Sequence, residues 1–197
     1  MLFIVNMDKY IEIYSPEEDS FLLSEVIEKE INKIKSKKNI AFLEIGIGSG
    51  IQLQTALKSG LLPNNILGVD INQKAVDECR ELEFNCINSN LFSKIPKNKT
   101  FDLIVFNPPY LPEDKREPLN SKVSTTGGKK GSEIINEFLR QAKNYLSGKG
   151  EILILTSSLT KDINWQKESY GYKKLLSKRK LFFEELYVWK LKVLRTK

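Results

Sequence analysis

Asn107-Pro108-Pro109-Tyr110 is a run suited to holding one geometry. Each proline fixes its own φ and drives the preceding residue out of the helical region, so Asn107 is presented on an extended, rigid backbone. The side-chain carbonyl of Asn107 and the main-chain carbonyl of Pro108 are two acceptors. They suit the two hydrogens of a planar NH2 group, and the Tyr110 ring can stack on that plane. An amide or exocyclic amine nitrogen is a poor nucleophile because its lone pair is delocalised into the adjacent π system. Acceptors that pull its hydrogens out of plane localise the lone pair and aim it, so transfer to nitrogen is promoted by orientation and electrostatics without a base of raised pKa. Such chemistry fits a chain with no histidine, which lacks the commonest general base and metal ligand. Cys79 and Cys86 are the two cysteines. Their spacing matches no zinc pattern, and neither would have the usual histidine partner of a nucleophile, so no metal is expected.

A second constellation lies upstream. In Glu44-Ile45-Gly46-Ile47-Gly48-Ser49-Gly50, glycines recur at every second position between an apolar run and a helical one, so a ligand can touch the backbone. The dinucleotide fingerprint would need a third glycine at position 51, which is Ile51, and no Gly-Lys-Ser/Thr follows, which excludes a P-loop. The turn resembles motif I of class I S-adenosylmethionine-dependent methyltransferases; a tight turn without a ligand is the alternative. Asp70, ending the next strand, stands where an acid accepts from both hydroxyls of a ribose, or else caps the helix that follows. Asn90 occupies the place where such enzymes usually carry an acid that reads the adenine amino group; its amide carbonyl can still accept that bond.

The elements that must position these residues alternate along the chain. After a strand at 11–14, Ser15-Pro16-Glu17-Glu18 carries an N-cap, a proline at the first helical position and a capping-box glutamate. A helix is expected, with Leu22, Val26, Ile27, Ile31 and Ile34 at helical spacing, ended by the lysines of 35–38. Strands are expected at 40–45, 66–69, 84–87, 101–106 and 151–156, with helices through about 58, at 72–82, at 132–146 and near 161–169. Two last strands, 172–176 and 183–193, are joined too tightly for a helical crossover and should form an antiparallel hairpin at one edge. The fold class is thus α/β: a Rossmann-like, seven-stranded, mostly parallel sheet with helices on both faces and a C-terminal antiparallel hairpin. Residues 111–131 show no periodic pattern and are expected to form a lid over the acceptor, since long loops in compact domains are usually functional.

Composition bounds the rest. The 197 residues suit a single domain, 1–197, with 1–38 packed on its core. Hydrophobic residues at 41% and charged residues at 28% exclude a disordered or collagen-like chain. No run approaches the ~18 apolar residues of a membrane helix, and the apolar stretch 2–5 is too short for a signal peptide, so a cytoplasmic protein is expected, starting at Met1 or Met7. The net charge of +6 would suit a polyanionic partner, but it is spread along the chain and carried mostly by lysine, so nucleic acid stays an alternative partner that is not favoured.

Taken together these motifs resemble the HemK/PrmC family of glutamine methyltransferases, which modify the Gly-Gly-Gln loop of class I peptide release factors. Tyr14-Ser15-Pro16-Glu17-Glu18-Asp19-Ser20 resembles the opening Y-x-P-x-E-D-[TS] of its short archaeal and eukaryotic branch. Asn107-Pro108-Pro109-Tyr110-Leu111-Pro112 is similar to its catalytic motif, and Gly127-Gly128-Lys129-Lys130-Gly131 to its glycine-rich element. The resemblance implies S-adenosylmethionine as cofactor, contacted by Ser20, Glu44, Gly46, Gly48, Gly50, Asp70, Ile71, Asn90, Leu91 and Asn107. Within that set Glu44 and Gly46 hold the methionine part, Asp70 the ribose, and Asn90 and Leu91 flank adenine. It implies Asn107 as the catalytic grip, supported by Pro108 and Tyr110, with Pro109 also on the substrate. It further implies a small zinc-binding activator paired along the third strand of the sheet. The alternatives are N6-adenine methylation of DNA or RNA, protein lysine methylation, and a non-catalytic Rossmann-like subunit.

Overall fold

The computed structural model describes residues 13–165 and 170–193, the side chains of 119 and 120 excepted. Helix α1 (Glu18–Asn32) leads into strand β1 (Phe42–Ile45), α2 (Ile51–Lys58), β2 (Ile66–Asp70), α3 (Gln73–Glu81), β3 (Asn85–Asn88) and β4 (Phe101–Phe106). These are followed by α4 (Leu119–Thr125), α5 (Glu133–Ala142), β5 (Leu146–Ser157), β6 (Tyr172–Lys180) and β7 (Glu185–Lys192). One sheet runs in the order β3-β2-β1-β4-β5-β7-β6. It is parallel from β3 to β5, with β7 inserted antiparallel between β5 and the edge strand β6. This is the doubly wound sheet with a closing hairpin that the sequence predicts. Among the described residues, no helix is long and apolar enough to cross a membrane.

Strands covered on both faces read as unbroken apolar runs, and alternate residues sort to the two layers. Phe42 of β1 with Leu103 and Val105 of β4 face a core shared with α1, α2 and α3. Leu43 and Ile45 with Ile104 and Phe106 face a second core shared with α5. The chain winds from β1 outward to β3, then returns past β1 to β4 and β5. The crevice at the carboxyl ends of β1 and β4 is therefore the topological switch point, where open parallel sheets bind ligands.

Several local expectations differ from the structure. Helix α1 starts at Glu18, its N-cap is Glu17 and no side chain caps it, because the Tyr14 hydroxyl bonds to Asp19 and draws the approach segment across the first turn. Residues 13–14 are not in a strand, and 11–12 lie outside the described residues. Residues 161–165 are not helical: Asp162 has φ 60°, and its carbonyl accepts from Ser132 and Asn136 of the α5 region instead. Residues 166–169 of that expected helix fall outside the described residues. The 132–146 helix ends at Ala142, and a 3-10 turn, Lys143–Tyr145, leads into a longer β5. The segment 111–131 contains a helix, α4, which Pro118 precedes as N-cap.

Helix α1 is clasped to the sheet by an ion network that is buried at Glu30, half-buried at Lys190 and Glu151, and exposed at Lys33 and Lys192. Lys190 of β7 pairs with Glu30 near the end of α1 and, at 2.8 Å, with Glu151 of β5. Lys33 and Lys192 add contacts of 2.5 Å to Glu30 and Glu151 respectively. Burial alone would raise both carboxyls, but hydrogen bonds from these lysines hold both below their ordinary value of 4.5. A carboxyl with a depressed folded pKa contributes stability above its unfolded value and loses it as the pH falls through the folded one. Lys190→Met should therefore cost about 2–3 kcal/mol in urea unfolding at pH 7. Its deficit relative to the natural chain should shrink below pH 4.5; an equal deficit at acid pH would mean that the loss is one of packing.

Candidate active site

The carboxyl ends of β1, β2 and β4 open into a cavity of about 620 Å3. Ser20, Glu44, Gly46, Gly48, Asp70, Ile71, Asn90, Leu91, Asn107, Pro108 and Pro109 all line it. Gly50 and Tyr110 stand outside the lining. Gly50 has φ 76°, and a Cβ there would lie 2.7 Å from the Cys79 sulfur, so its lack of a side chain serves the close approach of α2 to α3.

Gly46 and Gly48, with φ of 69° and 48°, curl the turn after β1 back onto β2. The Gly46 and Ile47 amides donate to the Val69 carbonyl at 2.7 and 3.2 Å. The Gly48 amide donates to Asp70 Oδ2 at 2.9 Å and the Asn72 amide to Asp70 Oδ1 at 2.8 Å. Asp70 thereby ties the two turns together; the cap of α3 is Asn72, whose side chain accepts from the Lys74 amide. Burial raises the Asp70 carboxyl, and the amides of Gly48, Asn72 and Ile71 pull it part of the way back. Each of its oxygens keeps a lone pair free for a ligand hydroxyl.

Glu44 is buried at the end of β1, and burial, followed by the nearby Cys79 and Asp70, pushes its carboxyl well above the ordinary value. Its Oε2 has no hydrogen-bond partner, which calls for a donor or cation from a ligand. At the other side of the turn Ile71 is 58% exposed. Leu91 sits at φ 48°, where Ser89 Oγ donates to its carbonyl at 3.2 Å and accepts from the Lys94 amide at 3.0 Å. These two apolar side chains and the exposed Asn90 offer faces and an acceptor for a flat heterocycle.

Asn107 follows β4 directly. Its Nδ2 donates to Asp19 Oδ2 at 3.1 Å, while its Oδ1 is buried without a partner. Asp19, 4% exposed, also accepts from the Tyr14 hydroxyl, 3.1 Å from each oxygen, and from the Tyr110 hydroxyl at 3.4 Å. Burial, then the Asp19 charge, raises both phenols, which therefore remain donors. The Ser20 carbonyl accepts from Gln52 Nε2 at 2.9 Å, and Gln52 Oε1 from Ser24 at 2.8 Å, so α1 is pinned to α2 at the cavity wall. Sequence reasoning assigned no role to Asp19, Tyr14 or Gln52; the one signal was the place of the first two in the opening motif.

The glycine-rich element supports the Asn-Pro-Pro-Tyr backbone by close approach. A Cβ on Gly127 would lie 2.5 Å from the Pro109 carbonyl oxygen, and one on Gly131 2.3 Å from that of Tyr110. Residues 111–131 are tied down by bonds from Leu111 N to Thr125 O, Gly127 N to Leu111 O and Glu113 N to Gly128 O. Val123, Ser124 and Thr126 line the cavity, so the segment forms an ordered wall beside Asn107. Of its basic residues, Lys122, Arg116 and Lys130 pair with Glu113, Asp114 and Asp162.

Residues 19–183 match the methyltransferase small domain family. A Methanocaldococcus jannaschii protein with the provisional name protein N5-glutamine methyltransferase is 39% identical over 91% of this chain and 93% of its own length. The Schizosaccharomyces pombe eRF1 methyltransferase catalytic subunit mtq2 is 28% identical over 74% of this chain and 73% of its own. Among solved structures, the E. cuniculi Mtq2–Trm112 complex, responsible for methylation of the translation termination factor eRF1, aligns with a TM-score of 0.69 at 24% identity. It covers 92% of this chain and 98% of that one. With the motif after β4, the turn after β1 and these matches agreeing, the chain belongs to the methyltransferase small-domain family and, within it, to the HemK/PrmC group.

Proposed function

We propose that the chain transfers a methyl group from S-adenosylmethionine to the side-chain amide nitrogen of a glutamine, the one in the Gly-Gly-Gln motif of a class I peptide release factor. The observation that carries this reading is the buried, unpartnered Oδ1 of Asn107 in the wall of a nucleoside-sized cavity. The cavity residues fit the donor. Glu44 Oε2 suits its ammonium group, Asp70 its ribose hydroxyls, and Ile71, Leu91 and Asn90 its adenine, while Gly46 and Gly48 let the backbone come close. When bound, S-adenosylmethionine supplies an electrophilic methyl group on a positively charged sulfur.

The chain's own part is orientation. Asn107 Oδ1 and the Pro108 carbonyl would each accept a hydrogen bond from one N–H of the acceptor amide, which localises its lone pair and fixes its direction. The N–C bond forms as the methyl–sulfur bond breaks with its electrons staying on sulfur, and the surplus proton on nitrogen leaves to solvent. The wall from 111 to 131, held against Pro109 and Tyr110 by glycines, would shape the acceptor's approach. The names of the relatives support glutamine over adenine, which the same grip could hold. A translation factor as substrate would place the protein in the cytoplasm.

We also infer a small, zinc-binding activator on the edge strand β3. Exposed edges invite pairing unless charged. The edge strand β6 carries Lys173, Lys174, Lys178, Arg179 and Lys180, whereas β3, Asn85–Asn88, carries no charged residue. Co-expression with such an activator should yield a one-to-one complex of higher activity in sedimentation and turnover measurements; a fully active, stable monomer would count against it.

Labelled methyl transfer should appear on the release-factor glutamine by mass spectrometry and vanish when that glutamine is alanine. Asn107→Ala should lower kcat by about 100-fold or more. Label on tRNA or DNA alone would transfer the reading to adenine. Because the Glu44 carboxyl is raised by burial, its anionic form gains population as pH rises, and a cationic ligand binds that form. Calorimetry should therefore show S-adenosylmethionine affinity still increasing with pH above the ordinary carboxyl value of 4.5, and Glu44→Gln should abolish that slope and weaken binding about tenfold where the natural chain's affinity has levelled off.

A further inference from the structure

We infer that Asp19 is a positioning residue for the transfer: its carboxylate holds Asn107 by the amide NH2 and so reserves Oδ1 for the acceptor. The inference rests on the reading of Asn107 as the acceptor grip. An asparagine side chain is almost symmetric in shape, and turning it over exchanges a carbonyl oxygen for an NH2 at nearly the same place. With Asn107 turned over, two donors would confront an NH2 group that needs an acceptor. The adjacent Pro-Pro pair fixes the backbone of Asn107 but has no influence on which end of its amide faces the cavity.

A carboxylate makes that choice because its oxygens offer only acceptor sites. Asp19 Oδ2 lies 3.1 Å from Asn107 Nδ2; with the amide reversed, two oxygens would meet there in a buried site. Asp19 is itself held from all sides by donors. Oδ1 accepts from the Ser20 amide at 2.5 Å and the Ser20 hydroxyl at 3.2 Å, and the Tyr14 and Tyr110 hydroxyls lie 3.1 and 3.4 Å away. A negative group at the NH2 end of an amide also polarises it, increasing electron density at the carbonyl and making Oδ1 the better acceptor. Tyr110 thus acts from behind Asn107, through Asp19.

Asp19→Asn keeps the size of the residue but can offer its own NH2, allowing Asn107 to turn over and spend Oδ1 on it. The expected result is a kcat about 100-fold lower, with S-adenosylmethionine affinity by calorimetry within twofold of the natural chain. In a double-mutant cycle, Asp19→Asn should cost nothing further in an Asn107→Ala background. A residue that merely anchored α1 would add its cost in both backgrounds and would weaken donor binding through Ser20. A second readout needs no change at position 19. In the natural chain, the Asn107 side-chain NH2, assigned by its absence from Asn107→Ala, should show one downfield amide proton protected from exchange. Unchanged kcat in Asp19→Asn, additive losses, or an unprotected Asn107 NH2 would each overturn the inference. Methylation of adenine in place of glutamine, with coupling between positions 19 and 107 retained, would instead overturn the acceptor and leave the positioning role standing.

Discussion

The parallel pairing of β1 with β4 is the constraint on which the site depends. Its register sets Ile45 opposite Phe106, so the first residues beyond the two strands, Gly46 and Asn107, emerge side by side. One carries the turn that faces the cavity, the other the unpartnered amide oxygen. The φ of 69° favours glycine at position 46, where a Cβ would also lie 3.3 Å from the Phe106 ring. Because both faces of these strands are packed, a slip of one residue would exchange the two cores and turn Glu44 away from the side of α2. The alternation that builds the core is therefore also what delivers Glu44 to the cavity.

Helix α1 contributes Asp19 and Ser20 from outside the alternating β/α run, and it has to be held with comparable accuracy. The C-terminal hairpin supplies much of that hold. Arg179 of β6 reaches Glu18 and Glu25 at 2.8 and 2.7 Å, and Lys190 of β7 reaches Glu30. Ser157, at the end of β5, bonds to Glu184 in the hairpin turn, while Thr160 bonds to the Tyr110 carbonyl at 2.9 Å. The hairpin thus braces both the helix that carries Asp19 and the motif that carries Asn107. The sequence distances spanned, 154 to 161 residues between partners, make these contacts costly in loop-closure entropy.

What could be read from the sequence follows the range of the interactions involved. Strands such as Phe101–Phe106 declare themselves through local apolar runs, and Asn107 through two prolines whose effect is covalent. Gly46, Gly48 and Asp70 were legible because a strand, turn and helix in succession can place them only at the sheet's carboxyl edge. Asp19 was not, because its neighbours Ser15, Pro16 and Glu18 already have a sufficient local explanation as a helix start. Its actual partner, Asn107, lies 88 positions away. Helix α4 was missed because seven residues are too few for a helical period to emerge. The helix expected near 161–169 fails in its described part for the same kind of reason: the carbonyl of Asp162 is claimed by α5-region side chains that periodicity cannot see.

The distribution of satisfied and unsatisfied polar groups separates architecture from site. Asp19, a buried acid, is met by donors on both oxygens, and its energy is spent on internal geometry. Glu44 and Asn107 are different. Among the described residues, their Oε2 and Oδ1 are the two buried side-chain oxygens or nitrogens that lack a partner, and both residues line the same cavity. Leaving such a group unpaired costs about 1–3 kcal/mol, so folded chains rarely tolerate it without use. Glu44 Oε2 becomes an acceptor when its carboxyl ionises, which burial resists and a cationic ligand favours, and Asn107 Oδ1 is an acceptor whose amide is tied down at its opposite end. A ligand with a cationic group for the first and a partner bearing a planar NH2 for the second would together complete what the fold leaves open, without requiring an imidazole anywhere in the chain.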